Sequence, residues 1–450
     1  MKQHSKKKIK MKTAYLNTLF LLVTISFYGQ EVLTKEKAVE ITLENNYDIR
    51  VTKNNLETAK NNKSIYNSGY LPTIVGNAGA TYSNNDSDNE FQNGTINSVS
   101  GAESKSYNAS IGLNYTIFNG FNRQNTFKRL KELYNLTELQ ARQVIENTLT
   151  TLFLAYYEVG RLTENETTQK QTLAISKKRL QRANYSFNYG QNTKLNVLNA
   201  EVDVNNDSIT YINIKRELAN AKRDLNVVLG RSVNTPITVN TDVNYAIDLN
   251  LIDVLEKAKI NNANLLQAQK NIELRQLDVK VNKSGWMPNI GLTSSYAWVK
   301  SNNDAVNAFS PISNTRKGLN AGVNLSWNIF DGGRTKTNVT NSKIALETQE
   351  IQKLQQEERL ERDVNNAWET YQNALFSLQA QEKNVITNKL NFDRTNERYK
   401  LGQVTSIDFR QAQVNLINAE LSVSNAKYTA KNAELQLLQL AGMLLDNKNF

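Results

Sequence analysis

Two patterns of hydrophobic and polar residues divide this chain, and each predicts a different element. Apolar residues alternate with polar, uncharged residues over 107–118 and 319–330, which predicts β-strands, and weaker alternation predicts partner strands over 72–83 and 288–299. In the long stretches between them apolar residues recur at alternating steps of three and four, which predicts helices packed as coiled coils. The second half shows this most clearly, at Val364, Trp368, Tyr371, Leu375 and Leu378.

Glycine and proline set the expected helix bounds. All four prolines lie outside the periodic stretches, where they do not interrupt a helix. The two longest helices would each be about 100 Å long at 1.5 Å per residue, which is improbable in an ordinary globular core. The predicted helices cover 34–69, 121–189 and 193–230 in the first half, and 251–284, 333–401 and 405–442 in the second.

The order of elements occurs twice. The first copy covers 30–240 and the second covers 241–450, and each contains a helix, a strand pair, a very long helix and a further helix. A repeat of about 200 residues is too long for a solenoid unit, so we expect two similar halves placed side by side. Equivalent landmarks are Pro72 and Pro288, Gly120 and Gly332, and Gly190 and Gly402.

The N-terminal segment has the pattern of an export signal. Six lysines precede an apolar run over 14–28 that is too short to span a bilayer. We therefore expect residues 1–29 to be a signal peptide. Its removal takes away six lysines and lowers the formal net charge from +11 to +5. Acidic and basic residues are interspersed along the predicted helices, which indicates solvated faces and no nucleic-acid partner.

The composition argues against an enzyme. The chain has no cysteine, and its one histidine, His4, lies in the predicted signal peptide. Histidine-based acid–base catalysis, thiol nucleophiles and imidazole or thiolate metal sites are therefore excluded from the mature chain. No pair of carboxylates stands out from the charged helical background. We expect no catalytic residue, no cofactor and no metal.

The strands have the length and pattern of membrane-spanning strands. Segments of about 11 residues with one apolar face suit a tilted strand in a bilayer, although a single one would suit a soluble sandwich equally well. Polar segments over 83–106 and 300–318 would form the external loops. Four strands cannot close a barrel, and lipid does not tolerate open edges, so three copies with twelve strands are expected. The predicted lipid-facing residues are Ile111, Leu113, Val323 and Leu325.

The order of these motifs resembles the TolC family of outer-membrane efflux proteins. The resemblance lies in Leu71-Pro72 and Met287-Pro288, in Trp327 to Arg334 at the strand exit, and in Tyr399 to Gly402 before Asp408. It implies a mainly α fold with a β-barrel portion: a homotrimer with a twelve-stranded barrel in the outer membrane of a Gram-negative bacterium and an α-helical coiled-coil tunnel in the periplasm. Its implied function is a passive channel of a tripartite efflux pump or type I secretion system. The implied partners are a periplasmic adaptor and, through it, an inner-membrane transporter of the RND, ABC or MFS type.

The hairpin tips are the candidate functional sites. Gly190 and Gly402 are predicted to end their helices in the left-handed conformation, and Thr405 to Asp408 reads as a capping box. The resemblance implies that an acidic residue at Asp408 lines the periplasmic entrance, and capping and aperture roles both remain open for it. The equivalent first-copy residue is Asn196, and the second acidic position of the family is Gln411. The resemblance places adaptor contacts at Gly190, Gln191, Thr193, Gly402, Gln403 and Thr405.

Two other functions fit parts of the pattern. A trimeric coiled-coil surface protein, such as an adhesin-like stalk with a membrane anchor, would also combine long helices with strands. Adhesins, however, place their strands at one terminus, whereas here strands lie inside each copy. A periplasmic adaptor would need one helical hairpin flanked by β-rich domains, which the pattern lacks.

Overall fold

Helices dominate the structure, a computed structural model that describes residues 32–246, 249–304 and 311–445. The predicted signal peptide lies outside the described residues. The first copy forms α1 (Lys35–Asn45), α2 (Tyr47–Asn62), α3 (Asn122–Asn188) and α4 (Lys194–Val228). The second forms α5 (Leu251–Asn261), α6 (Ala263–Lys283), α7 (Arg334–Lys400) and α8 (Ser406–Leu440).

Each copy breaks its first predicted helix at an asparagine, so the predictions of single helices over 34–69 and 251–284 are wrong. Asn46 (ψ 133°) and Asn262 (ψ 119°) are extended. The Oδ1 of Asn46 accepts from the backbone N–H groups of the second and third residues beyond it, and Asn262 does the same. An asparagine side chain that caps the next helix competes with continuation of the previous one. The break in both copies is therefore a local effect of asparagine.

The strands form one antiparallel sheet. Its order is β2 (Thr73–Glu90), β3 (Ile96–Asn119), β5 (Asn289–Asn303) and β6 (Ser313–Ser326). A separate parallel ladder of two residues each joins β1 (Val32–Leu33) and β4 (Thr238–Val239). The register of the large sheet puts the two hairpins side by side, with β3 against β5.

Five strand bounds differ from the predictions by several residues. The predicted external loop over 83–106 is mostly strand, because β2 continues to Glu90 and pairs with Ile96 of β3. In the same way β5 continues to Asn303, and β6 begins at Ser313, earlier than predicted. β6 also ends at Ser326, before the predicted 330, where the Trp327 indole turns to donate to the carbonyl of Trp286 at 3.1 Å. In the extensions apolar residues no longer alternate with polar residues, so no hydrophobic pattern predicts a strand there.

The chain folds as two compact units, and each draws on both copies. One comprises Val51–Val144 and Leu255–Asp363, and it contains the four-stranded sheet. The other comprises the described residues within 1–50, 145–254 and 364–450, and it contains both helical hairpin tips and the main hydrophobic core. That core is built from fully buried side chains that include Phe153, Tyr156, Leu225 and Leu435.

Within the second of these units, two side chains donate hydrogen bonds to the backbone of the segment that connects the two copies. The Tyr371 hydroxyl donates to Ala246 O at 3.0 Å, and the Lys431 ammonium donates to Asn244 O at 2.8 Å. Lys431 also pairs with Glu434 at 2.9 Å, and both side chains are 1% exposed. Burial raises the pKa of the Glu434 carboxyl, and the neighbouring Lys431 charge opposes that rise. This pair is the most deeply buried pair of opposite charges among the described residues.

Among the described residues, no helix combines the length and the apolar character needed to cross a bilayer.

Candidate functional site: the helical hairpin tips

Both long helices end in the same glycine motif. Gly190 (φ +70°) and Gly402 (φ +73°) adopt the left-handed conformation, as predicted. In the first tip the Gln191 N–H donates to Ser186 O at 2.8 Å and the Gly190 N–H to Phe187 O at 2.9 Å. The second tip repeats both bonds one copy later, at 2.9 and 3.1 Å. This is the Schellman motif, which satisfies the last carbonyls of a helix and reverses the chain direction.

The return helix of the second tip begins with a complete capping box, as predicted. The Asp408 N–H donates to Thr405 Oγ1 at 3.2 Å, and the Thr405 N–H donates to Asp408 Oδ2 at 3.0 Å. The Thr405 hydroxyl also donates to this carboxylate at 2.7 Å. The bond from the Thr405 hydroxyl contributes most, and together with the bond from the Thr405 N–H it holds the pKa of Asp408 below its usual range. Its carboxylate is therefore ionised, exposed and fixed in direction at the start of α8.

The first tip lacks that box. Thr193 makes no side-chain cap bond, and Asn192 instead accepts from the Thr193 N–H at 2.9 Å and from the Asn196 amide. Asn196 is half-buried and uncharged. Gln411, one turn beyond Asp408, donates to Asn415 of its own helix at 2.8 Å. Asp408 is thus the one carboxylate among the three predicted aperture residues.

A buried ion network lies behind the tips, and sequence reasoning missed it. The Arg410 guanidinium makes two bonds to the Asp207 carboxylate, at 2.9 and 2.8 Å. Ser176 donates to the same carboxylate at 2.6 Å, and Gln413 donates to Ser176 at 3.3 Å. The network joins α3, α4 and α8. Arg410 and Gln413 lie more than 200 residues beyond Ser176 and Asp207 in sequence, and no motif marks the four residues.

The predicted lipid-facing residues share one face of the sheet. Ile111 lies opposite Tyr296, and two residues along β3 Leu113 lies opposite Ser294. On the other edge of β5, Val323 lies opposite Leu292, which keeps the same alternation. Leu325 follows two residues later on β6. The register therefore brings all four side chains to a common surface.

Comparison with known proteins decides the family. A family model described as outer membrane efflux protein matches residues 38–231 and 254–443, one match in each copy. The chain belongs to the outer membrane efflux protein family. This membership supports the efflux channel over the adhesin-like alternative. The family match also confirms that the duplicated pattern of strands and long helices was interpreted correctly.

Individual members of the outer membrane efflux family agree over most of the chain. The outer membrane efflux protein BepC of Brucella suis is 22% identical over 422 residues, covering 92% of this chain and 88% of BepC. TolC of Escherichia coli is 23% identical and covers 83% of this chain and 75% of TolC. Both relatives are distant, so they leave residue-level roles to be argued from this chain.

Solved structures give the same fold. The Campylobacter jejuni CmeC outer membrane channel superposes with a TM-score of 0.77 at 17% identity, over 91% of this chain and 86% of that one. The open state of the Neisseria gonorrhoeae MtrE outer membrane channel gives a TM-score of 0.70 at 18% identity, over 91% and 89%.

Proposed function

We propose that three copies of this chain assemble into one outer-membrane channel, with each sheet supplying four strands of a twelve-stranded barrel. The observation that carries the proposal is that β2 and β6 lie at the two edges of the sheet, each with a ladder partner on one side only within the described residues. Lipid does not tolerate unpaired backbone groups, so β2 of one copy must pair with β6 of the next.

Engineered disulfides test this closure directly, because the chain has no cysteine of its own. One cysteine replaces Val75 in β2, and a second is moved along β6 from Leu319 to Leu325. The two edges of one sheet are about 14 Å apart, three strand spacings, which a disulfide cannot bridge. Any bond must therefore join two copies. We expect oxidised membranes to give dimers and covalently closed trimers at one register, and monomers alone would refute the barrel.

The channel is proposed to be a passive conduit from the periplasm to the exterior. The helical hairpins would form a tunnel in the periplasm, and their tips at Gly190 and Gly402 would contact an adaptor. An inner-membrane transporter of the RND, ABC or MFS type would supply the energy. The well-formed turns at both tips support this arrangement, since they present a fixed surface for docking.

The tip of the second hairpin is proposed to line the entrance. Three symmetry-related Asp408 carboxylates would form one negative ring, whereas Asn196 of the first hairpin would add no charge. The exposed, ionised and oriented carboxylate supports this proposal. It would favour cations at the periplasmic mouth.

A further inference from the structure

A groove of about 340 Å³ lies between α3, α7 and α8, a few turns behind the second tip. One side is aromatic: the Phe409 ring stacks on Tyr399 at 4.7 Å between centroids and contacts Phe392 at 5.5 Å. A groove of this volume with an aromatic wall is large enough for a single small ring. It is separate from the exposed Asp408 carboxylate, which does not line it.

The charged side chains that line the groove are all cations. They are Lys178, Arg179, Arg182 and Lys400, and no acidic side chain of the described residues lines it with them. Two of them are already engaged. Arg182 lies over the Tyr399 ring and donates to Lys400 O at 2.8 Å, and the Lys400 ammonium pairs with Glu397 at 2.8 Å. The groove is therefore positively charged on one side and apolar on the other.

Arg179 carries the argument, because its charge is buried and only partly paired. The residue is 4% exposed. Its Nη2 pairs with Asp203, but Nε and Nη1 have no hydrogen-bond partner. Unpaired donors on a buried cation are costly, and a second carboxylate would satisfy them.

The nearby acids are committed to other cations. Asp203 also forms an ion pair with Arg410 Nε at 3.3 Å. Asp207 accepts two hydrogen bonds from the Arg410 guanidinium. Two carboxylates thus face two guanidinium groups, and three further cations line the groove. Burial, with the Arg410 charge, lowers the pKa of Arg179, which is the direction expected for an under-neutralised cation.

We propose that this groove binds a carboxylate group carried on an aromatic or apolar body. The carboxylate bonds to Arg179 Nε or Nη1, and the body packs against Tyr399 and Phe409. A free aromatic acid and an acidic side chain beside an aromatic residue in a partner protein both present this chemistry.

Binding of small probes to the assembled protein in detergent tests the proposal. Benzoate is compared by saturation-transfer NMR with benzamide, which has the same shape without the charge. A capped Gly-Phe-Glu-Gly peptide is compared with Gly-Phe-Gln-Gly to represent a protein source. We expect saturable binding of benzoate or the glutamate peptide and at least about tenfold weaker binding of the neutral partner. Whichever acid binds identifies the source.

Variants locate the site. Arg179→Gln should weaken acid binding at least about tenfold, whereas Arg216→Gln, an exposed arginine on α4, should leave it unchanged. Asp203→Asn removes the internal carboxylate from Arg179 and should strengthen acid binding, an effect that loss of structure would not produce. The proposal is overturned if neither acid binds saturably, as when a neighbouring copy fills the groove, or if neutral probes bind equally well. It is also overturned if Arg179→Gln binds like the wild type.

Discussion

At the scale of single residues, the third position of the return helix differs between the two hairpin tips: it is Asn196 in the first and Asp408 in the second. Asp408 is a helix cap in this structure, and its hydrogen bonds with Thr405 explain its lowered pKa. Because the folded pKa is lowered, the contribution of the cap is complete above the ordinary carboxyl pKa. It is lost as the pH falls through the lowered value.

Charge removal separates capping from the proposed aperture role. Asp408→Asn keeps a side-chain oxygen at N3 that can accept from the N–H of the N-cap residue Thr405, but it removes the charge. We expect lower cation selectivity and about tenfold weaker block by trivalent cations, because three negative charges are lost from a narrow mouth. The measurements are reversal potential and cation block in planar bilayers. Asn196→Asp should change both in the opposite direction, and unchanged values in Asp408→Asn would leave this residue as a cap only.

The buried pair Lys431–Glu434 should be strongly non-additive. Lys431→Met or Glu434→Leu alone leaves an unpaired buried charge and should cost about 3–5 kcal/mol, seen as a lower melting temperature. The double variant should recover most of that loss. Arg362→Met, which removes an exposed ion pair, should cost less than about 1 kcal/mol. Equal losses in the double variant and the sum of the single variants would show that the two charges are not coupled.

At the scale of elements, the sequence predicted helix ends that depend on a single residue with a special backbone conformation. Gly190 and Gly402 were predictable because a helix end needs a residue that tolerates positive φ. The breaks at Asn46 and Asn262 were missed, although an Asn-Asn pair occurs there in both copies. The reason is that an asparagine in an amphipathic run is as compatible with an exposed position in a continuous helix as with a helix break.

Signals that depend on packing could not be read from the sequence. Arg179 and Arg410 resemble many other basic residues on helical faces. Only the packing of α3, α4 and α8 makes them buried and pairs them with Asp203 and Asp207. The strand extension to Glu90 was hidden for another reason, since a strand exposed on both faces has no apolar side to alternate.

The second tip should tolerate little change in backbone conformation. Gly402→Val puts a β-branched residue at φ +73°, which is strongly disfavoured. We expect reduced export with normal trimer assembly, because the altered turn lies outside the sheet unit. Gly318→Val is the control, since Gly318 lies in β6 without positive φ and with open space at its Cβ. Normal export by Gly402→Val would contradict a functional role for this tip.

Strand orientation can be tested with one residue on each face of β6. Leu325→Arg puts a charge on the face predicted to contact lipid and should cost up to about 2–4 kcal/mol per copy, a cost that is incurred three times in a trimer. Asn324→Arg places the same charge on the opposite face and should be tolerated. Heat-resistant trimer in outer-membrane fractions is the measurement. Normal levels of the Leu325→Arg trimer would mean that this face does not contact lipid.

At the scale of the whole molecule, the first hairpin is much longer than the second. The pairing of β3 with β5 begins at Ser104, and the Asp304 N–H donates to the Glu103 carbonyl at 3.0 Å. The seven residues from Ile96 to Ala102 extend about 23 Å further and, among the described residues, pair only with β2. These projecting residues form no ladder with the described part of the second hairpin. Barrel assembly should therefore not require them.

Shortening the hairpin tests that independence. Asn84 and Glu103 face each other in the ladder, so replacing residues 85–102 with Asn-Gly joins them by a favoured two-residue turn. We expect unchanged trimer yield and melting temperature, with any effect confined to conductance. Loss of assembled trimer would show that the projecting strands contribute to contacts between copies.

The helix breaks at the two asparagines also bear on how the two copies are related. Asn46 and Asn262 have the same capping bonds and nearly the same backbone angles, which is the similarity expected if the break was in place before the gene doubled. An ancestor of this kind would be a half-length chain with one strand hairpin and one helical hairpin, and six identical copies would supply the same twelve strands. Doubling freed each half to change alone. A carboxylate at Asp408 but not at Asn196 would give the proposed trimeric entrance charged and neutral tips in alternation.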